Sequence, residues 1–288
     1  MKKMLWLCTI IFCLVAASPA YAAELPDSER CVSYGGPSSF SLSLIPDVLM
    51  GSIAGGLAIT GLVLPKTLSL PEPDSVPYNR DTVNDFDRWA MNSYDHTLDA
   101  LGWVPCGLNL AMPVGIFVAE YFLGNLPAQD ALTLGVMFAE AWCMGYGLRQ
   151  ILKISAHRAR PYMYFENPKE SALEDYDFEF SWPSGHTTDS FFGATFLTYT
   201  FCMYYPESKW KIPIAIGSYV CATATGVMRL LSGNHFLTDV LSGAALGSVC
   251  GFFVPFIHRQ MAKSKNRPQN MALSVQVTAG GLMFSVNF

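Results

Sequence analysis

Three clusters of polar side chains in this sequence could do chemistry, and each falls at the end of a long apolar segment. The first runs from residue 153 to 161 and contains Lys153 and Arg160. Their interval is about two helical turns, so both cations would lie on one face of a helix. Two cations on one face favour an anionic ligand. A basic stretch that merely flanks the membrane is the alternative for Arg158 and Arg160.

The second cluster is the stretch Pro-Ser-Gly-His at residues 183–186, directly before an apolar segment. A helix that starts here would offer free backbone N–H groups and partial positive charge, which suit a phosphate. Ser184 adds a hydroxyl donor, and Gly185 lets the backbone approach the ligand closely. The cluster therefore favours a phosphate site with His186 beside it. A helix cap with an interfacial histidine is the alternative.

The third cluster contains Arg229, His235 and Asp239. Asp239 follows His235 by four residues, so on a helix its carboxylate can accept one imidazole N–H and leave the other ring nitrogen free. This is the pairing that a nucleophilic histidine needs. An aspartate inside an apolar run is costly without a partner, which favours a functional role over a structural one.

The composition indicates a membrane protein. The chain has 288 residues, 51% hydrophobic and 14% charged, whereas soluble domains carry about 25% charged residues. Its net charge of −5, without a cluster of Lys and Arg, excludes a nucleic-acid partner. The eight cysteines show neither zinc spacing nor a disulfide framework, and we expect no metal and no cofactor.

Apolar segments of about 20 residues predict an all-α, polytopic membrane bundle of five to six spans. Five segments are predicted to cross the membrane: Leu101–Leu123, Ala131–Leu152, Thr187–Tyr205, Ile212–Leu230 and Phe236–Ile257. A sixth, Val48–Leu64, is shorter and rich in glycine, and it would either span or lie partly embedded against the bundle. The three polar clusters lie at the ends of these spans.

The pattern divides the chain into four regions. Residues 1–22 have the basic start, apolar stretch and small-x-small ending of a signal peptide. Residues 23–100 hold the Gly-rich segment and then, from Asp81 to Ala100, an apolar spacing that predicts an interfacial amphipathic helix. Residues 101–258 form the predicted catalytic membrane domain. The tail, residues 259–288, is first basic and then alternates as a strand does.

The positions of Lys and Arg predict how the chain is oriented in the membrane. Short cytoplasmic loops are enriched in Lys and Arg, so the basic tail after the last span is expected inside. Counting back across the spans places all three clusters outside, which is the periplasmic face of a bacterial inner membrane. A cleaved leader followed by a spanning Val48–Leu64 would predict the opposite orientation, so the two patterns conflict.

Together the three clusters resemble the signature of type 2 phosphatidic acid phosphatases, the PAP2 superfamily. The matching residues, in order, are Lys153, Arg160-Pro161, Pro183-Ser184-Gly185-His186, Arg229, His235 and Asp239. The order and the internal spacing are similar to the family over roughly residues 101–251. One position departs, since Met228 stands where the family often has Ser or Thr.

The resemblance implies a metal-independent phosphoryl transfer in two steps. In the family, the histidine that matches His235 attacks phosphorus to give a phosphohistidine, and the aspartate that matches Asp239 orients it. The histidine that matches His186 protonates the leaving alkoxide, and water then releases phosphate. The residues expected to surround the phosphoryl oxygens are Lys153, Arg160, Ser184, Gly185 and Arg229.

Because these residues lie at the ends of membrane spans, the predicted substrate is a lipid phosphate or diphosphate ester. Transfer of the phosphoryl group to another lipid would use the same histidine, and a protein that binds anionic lipid without turnover is the non-enzymatic alternative. A vanadate-dependent haloperoxidase has a related pocket, but the predicted multi-span architecture argues against it. The sequence does not indicate a protein partner. Two other histidines, His96 and His258, are expected at the surface.

Overall fold

The structure is a computed structural model that describes residues 39–67, 76–166, 168–169, 171, 173, 176–265, 272–278 and 281–287. The predicted signal peptide, residues 1–22, lies outside the described residues. Within those ranges the α-helices and strands are, in chain order, α1 (Leu44–Val63), α2 (Asp85–Arg88), α3 (His96–Leu101), α4 (Trp103–Phe122), α5 (Ala128–Ala156), α6 (Gly185–Tyr204), α7 (Lys211–Leu231), α8 (Leu237–Lys265), β1 (Ala272–Thr278) and β2 (Gly281–Asn287).

The long helices confirm the predicted all-α membrane bundle. Five helical segments of the described chain are long and apolar enough to cross a membrane: α1, α3 with α4, α5, α7 and α8. Their outward faces carry large exposed apolar side chains, among them Leu49, Phe122, Val220 and Phe253. Such faces suit contact with lipid tails, which do not penalise exposed apolar surface as water does.

Helix α6 is the centre of the bundle and packs against α4, α5, α7 and α8. Its sequence is rich in Thr and Ser, and most of its side chains are buried. A helix surrounded by protein has little need of the apolar surface that lipid requires, and neighbouring helices supply partners for the hydroxyl groups of Ser190 and Thr195. The close approach of α8 depends on Gly243, Gly247 and Gly251, where an added Cβ would overlap the α6 backbone. Their four-residue spacing places all three glycines on the face of α8 that packs against α6.

Helix α1 corresponds to the sixth predicted segment, and its 20 residues make it a candidate span. It packs along α5, where Gly147 allows the α5 backbone to approach Leu57. Just before α1, the Ser41 N–H donates to the carbonyl of His258 near the end of α8 (3.4 Å). The start of α1 and the end of α8 therefore lie together, at the end of the bundle away from residues 153–160.

The predicted amphipathic helix over Asp81–Ala100 is wrong, because this region forms three short elements instead. They are a 3₁₀ turn at Arg80–Thr82, then α2, then α3. The Asn84 side chain caps α2 by accepting from the Asp87 N–H, and the Asp95 side chain caps α3 by accepting from the Leu98 N–H. These caps start new helices within the segment and so prevent one continuous helix.

The expected surface position of His258 is also wrong, since its side chain is fully buried in α8. Its Nε2 lies 2.9 Å from a carboxylate oxygen of Glu140, and its Nδ1 lies 3.2 Å from the Ser41 carbonyl oxygen. Both ring nitrogens therefore have partners within the bundle, which is what allows an imidazole to be buried there.

The alternating pattern of the tail is confirmed as β-structure. Strands β1 and β2 pair antiparallel, from Ala272 opposite Asn287 to Thr278 opposite Gly281.

Candidate active site

The fold brings the three polar clusters together at one end of the bundle. Lys153 is near the end of α5, His186 is at the start of α6, Arg229 is near the end of α7 and Asp239 is in the first turn of α8. A backbone hydrogen bond from the Ser184 N–H to the Asp239 carbonyl (3.0 Å) joins the second cluster to the third, and one from the His235 N–H to the Arg229 carbonyl (3.2 Å) lies within the third.

His235 is buried, with 2% of its surface exposed. Its Nε2 lies 3.3 Å from Nη1 of Arg160. Because a guanidinium can only donate, Nε2 accepts this bond, and the proton of the neutral imidazole resides on Nδ1. Burial first, and then the positive charge of Arg160, lower the pKa of His235 well below its ordinary value. The side chain is thus a neutral imidazole with its Nε2 lone pair on the Arg160 side.

Asp239 lies beside His235, but the predicted hydrogen bond between them is not formed in this structure. Its Oδ2 is 3.6 Å from Nδ1 of His235, longer than an ordinary hydrogen bond. The reason is competition, since the same oxygen accepts from the Ser181 hydroxyl (2.5 Å) and the Phe236 N–H (2.8 Å). Nδ1 of His235 has no hydrogen-bond partner among the described residues.

The other oxygen of Asp239 accepts from Arg158 at 2.5 Å. Arg158 also binds the fully buried Asp87 at 2.6 Å, and its guanidinium lies over the Phe236 ring. Asp87 in turn accepts from the Thr238 N–H at the start of α8. This chain of contacts fixes the first turn of α8, which carries Asp239.

Arg160 and Lys153 line the same side of the site. Arg160 makes two bonds from Nη2 to the carboxylate of Asp177, at 2.8 and 2.9 Å, and Lys153 donates to the Phe180 carbonyl at 2.8 Å. Burial tends to raise the pKa of Asp177, but the charges of Arg160 and Lys153 outweigh it and hold that pKa below its ordinary value. Asp177 is therefore an anion held against the cations.

Arg229 is 1% exposed, and it is held by a second carboxylate. Its Nη1 donates to Asp99 at 2.6 Å, and its Nη2 donates to the Asp99 carbonyl. Gly102 permits this position, because a Cβ there would overlap the guanidinium. Its Nε has no hydrogen-bond partner among the described residues, so this N–H remains available.

The start of α6 supplies Ser184, Gly185 and His186. Ser184 is the N-cap residue, and its hydroxyl lies 2.9 Å from that of Thr187. The His186 ring meets the Trp103 ring edge to face, with centroids 4.0 Å apart, and its buried Nε2 has no partner among the described residues. An α-helix start with free N–H groups, next to a histidine with a free nitrogen, fits an anion that also needs a proton donor.

Sequence reasoning missed the residues that hold this site in place. Arg149 donates to the Gly185 carbonyl (2.9 Å) and pairs with Asp189 (2.6 Å). Both are ionisable groups inside membrane helices, which is the signal that could have identified them. Asp87, Asp99, Arg158 and Asp177 carry no comparable signal, because each lies in or next to a polar segment where charged residues are ordinary.

The fold and the site define a multi-pass membrane protein with a buried histidine among cations at one end of its helical bundle. The PAP2 superfamily profile matches residues 133–263. The chain is 30% identical over 162 residues to the probable lipid phosphate phosphatase beta of Arabidopsis thaliana, a match that covers 50% of this chain and 67% of that protein. This protein belongs to the PAP2 superfamily.

Two other relatives agree with that assignment. The chain is 25% identical over 174 residues to a PA-phosphatase related-family protein of Dictyostelium discoideum, covering 57% of this chain and 62% of that one. It is 32% identical over 108 residues to phosphatidylglycerophosphatase B of Bacillus subtilis (strain 168), covering 37% and 49%. The chain thus spans between about half and two thirds of the length of these three relatives.

Proposed function

We propose that this protein is a membrane phosphatase that hydrolyses a lipid phosphate or diphosphate ester through a phosphohistidine intermediate. The observation that carries the proposal is the setting of His235, whose Nε2 accepts from Arg160 while its Nδ1 faces Asp239. An imidazole in this tautomer has its lone pair directed at the cations that would hold a phosphoryl group.

In the first step, Nε2 of His235 attacks phosphorus, and the bond between phosphorus and the leaving oxygen breaks. His186 gives its proton to that oxygen, while the Nδ1–H that faces the Asp239 carboxylate stabilises the positive charge on the His235 ring. In the second step, water attacks phosphorus, the P–N bond breaks, and His186 takes back a proton. Histidine and water thus act in turn as nucleophiles at the same phosphorus.

Five groups would bind the phosphoryl oxygens: the side chains of Lys153, Arg160, Arg229 and Ser184, and the backbone N–H of Gly185. Fixed positive charge of this kind is the main means of stabilising the transition state of phosphoryl transfer. In this structure Asp177 and Asp99 bind the two guanidinium groups. A bound phosphate would compete with these carboxylates for the same donors.

The proposal of a lipid substrate is supported by the place of the site, at the ends of helices whose outer faces are apolar. It is also supported by the relatives, which are named a lipid phosphate phosphatase and a phosphatidylglycerophosphatase. An ester with its phosphate at the membrane surface and its tails among the helices would reach the site directly.

The test is phosphate release by the detergent-purified protein from a panel of lipid phosphates, with His235→Ala as the control. We also expect a brief reaction with ³²P-labelled lipid to leave acid-labile label on the wild-type protein and none on the variant. Release by the variant at the wild-type rate would disprove the mechanism. Transfer to another lipid is distinguished by product analysis with lipid acceptors present, since it yields a new phospholipid instead of phosphate.

We further propose that the protein resides in a bacterial inner membrane with its site facing the periplasm. The basic residues in the last turns of α8, Arg259 and Lys263, support this orientation because they lie at the end of the bundle away from the site. A cleaved leader before a spanning α1 would favour the opposite orientation, with the site facing the cytoplasm.

Two exposed positions at opposite ends test the orientation. We expect Asp85→Cys to react with an impermeant thiol reagent in intact spheroplasts, and Glu207→Cys to react after lysis, in a background whose native cysteines are replaced by serine. The reverse pattern would place the site inside the cell.

A further inference from the structure

A cavity of about 540 Å³ opens beside the catalytic residues, outside the groups assigned above to phosphoryl binding. It is lined by Tyr94, His96, Asp99, Ala100, Trp103, Pro168, Lys169 and Ser171. Its volume lies within the range of about 300–1,000 Å³ that is usual for small-molecule sites. Its walls come from the segment before α3, from α3 and α4, and from the loop between α5 and α6.

Two contacts connect this cavity to the catalytic residues. Trp103, one of its walls, touches the ring of His186 with centroids 4.0 Å apart. Asp99, another wall, binds Arg229 at 2.6 Å. Because His186 is the proposed donor to the leaving oxygen, the cavity lies on the leaving-group side of the scissile bond. The part of the substrate beyond that oxygen would therefore extend past Trp103 into the cavity.

Lys169 gives the cavity a cationic partner for an anion. Lys169 lies 3.0 Å from Asp99, and Arg229 binds the same carboxylate from behind, so two cations share one anion. The Tyr94 hydroxyl also donates to Asp99, at 2.8 Å. Among the described lining residues Asp99 is the one carboxylate and Lys169 the one lysine or arginine, and Arg229 lies outside this lining. The Lys169 side chain is 28% exposed, so its ammonium can reach a ligand in the cavity.

We propose that this cavity binds a second anionic group of the substrate, with Lys169 as its direct partner. The inference rests on the proposed phosphatase function and narrows its substrate class. The substrate would be a lipid phosphate that carries another acidic group on the leaving-group side, either the second phosphate of a diphosphate or a phosphodiester farther along the head group. Lys169 is then a specificity-determining residue, because it contacts a part of the substrate that is not transferred.

Two pairs of lipids test this inference and distinguish the two sources of the anion. The first pair is phosphatidylglycerol phosphate and phosphatidate with identical acyl chains, which differ in the distal phosphodiester. The second pair is a prenyl diphosphate and the matching prenyl monophosphate. For each pair the measured quantity is the ratio of kcat/KM between the lipid with the second anion and the lipid without it.

We expect Lys169→Gln to lower this ratio about tenfold for at least one pair, since a hydrogen bond to a charged group is lost. The pair that responds identifies the source of the anion. Lys169→Arg should restore most of the ratio, and Lys209→Gln, an exposed lysine between α6 and α7, should leave it unchanged.

A ratio that stays constant in Lys169→Gln for both pairs would overturn the inference, whether the two rates fall together or do not change. Absence of phosphate release from all four lipids by the wild-type protein would instead contradict the proposed function. The two failures are therefore distinguishable in one experiment.

Discussion

The two ends of the helical bundle each bury a histidine beside carboxylates, but the surroundings of the two rings differ. At the end away from the site, His258 has a partner for each ring nitrogen, Glu140 on one side and the Ser41 carbonyl on the other. At the site end, Nδ1 of His235 lacks a hydrogen bond to any described residue, and so does Nε2 of His186.

Under the proposed mechanism, this difference separates a structural histidine from a reactive one. A buried polar group without a partner costs roughly 1–3 kcal/mol, so a satisfied cluster such as that of His258 needs no function beyond holding helices together. It joins α5, α8 and the segment before α1. The unsatisfied nitrogens at the site end carry that cost, and they are the atoms to which the mechanism assigns proton donation and charge stabilisation.

The largest expected effect contrasts the two histidines directly. Replacing His235 with alanine should reduce kcat by about 10⁴-fold or more, because it removes the proposed nucleophile. His258→Ala should keep kcat within about threefold of wild type and lower the melting temperature in detergent, because it removes only buried contacts. Similar losses of activity in both variants, measured on monodisperse protein, would contradict the distinction.

A smaller effect is expected for the carboxylates next to these rings. Asp239→Asn should lower kcat by about 10²- to 10⁴-fold, since a neutral amide no longer stabilises the positive charge that develops on His235. Glu140→Gln is the matched control at the other end, and its phosphate release should stay close to wild type. The comparison fails if Glu140→Gln loses as much activity as Asp239→Asn.

A still smaller effect is expected for the ion pair that supports Gly185. Asp189→Asn should lower kcat about tenfold, because Arg149 loses the partner that positions it on the Gly185 carbonyl. Thr200→Val, a buried change near the far end of α6, serves as its control. Equal rates in Asp189→Asn and wild type would show that the pair has no positioning role.

The smallest expected effect is a lowered midpoint in the pH titration of His235. Burial and the charge of Arg160 lower the pKa of His235 below its ordinary 6.5, so the ring stays neutral and nucleophilic as the pH falls through 6.5 and becomes protonated at lower pH. NMR titration of the imidazole signal that is missing from His235→Ala should show this midpoint below 6.5. A midpoint at or above 6.5 would mean that burial and the cations together do not lower the pKa of this ring.

Local spacing and hydropathy were sufficient to predict much of this protein. Hydropathy predicted the membrane bundle, because a helix in lipid must carry about 20 apolar residues wherever it packs. The four-residue interval predicted that Asp239 would lie beside His235, because neighbours on a helix are determined by its pitch. The same local rules placed Lys153, His186 and Arg229 at helix ends.

The tertiary structure decided which groups those residues contact. Arg229 pairs with Asp99, which is 130 positions away, and Arg158 links Asp87 to Asp239. The Asp239 oxygen that was predicted to bind His235 accepts from Ser181 instead, 58 positions away. The segment Asp81–Ala100, predicted as one helix, forms short elements with their own N-caps. Helix packing determines which residues so distant along the chain come into contact, and local periodicity carries no information about it. The same packing determined that His258 would be buried with a partner for each ring nitrogen, while Nδ1 of His235 has no hydrogen-bond partner among the described residues.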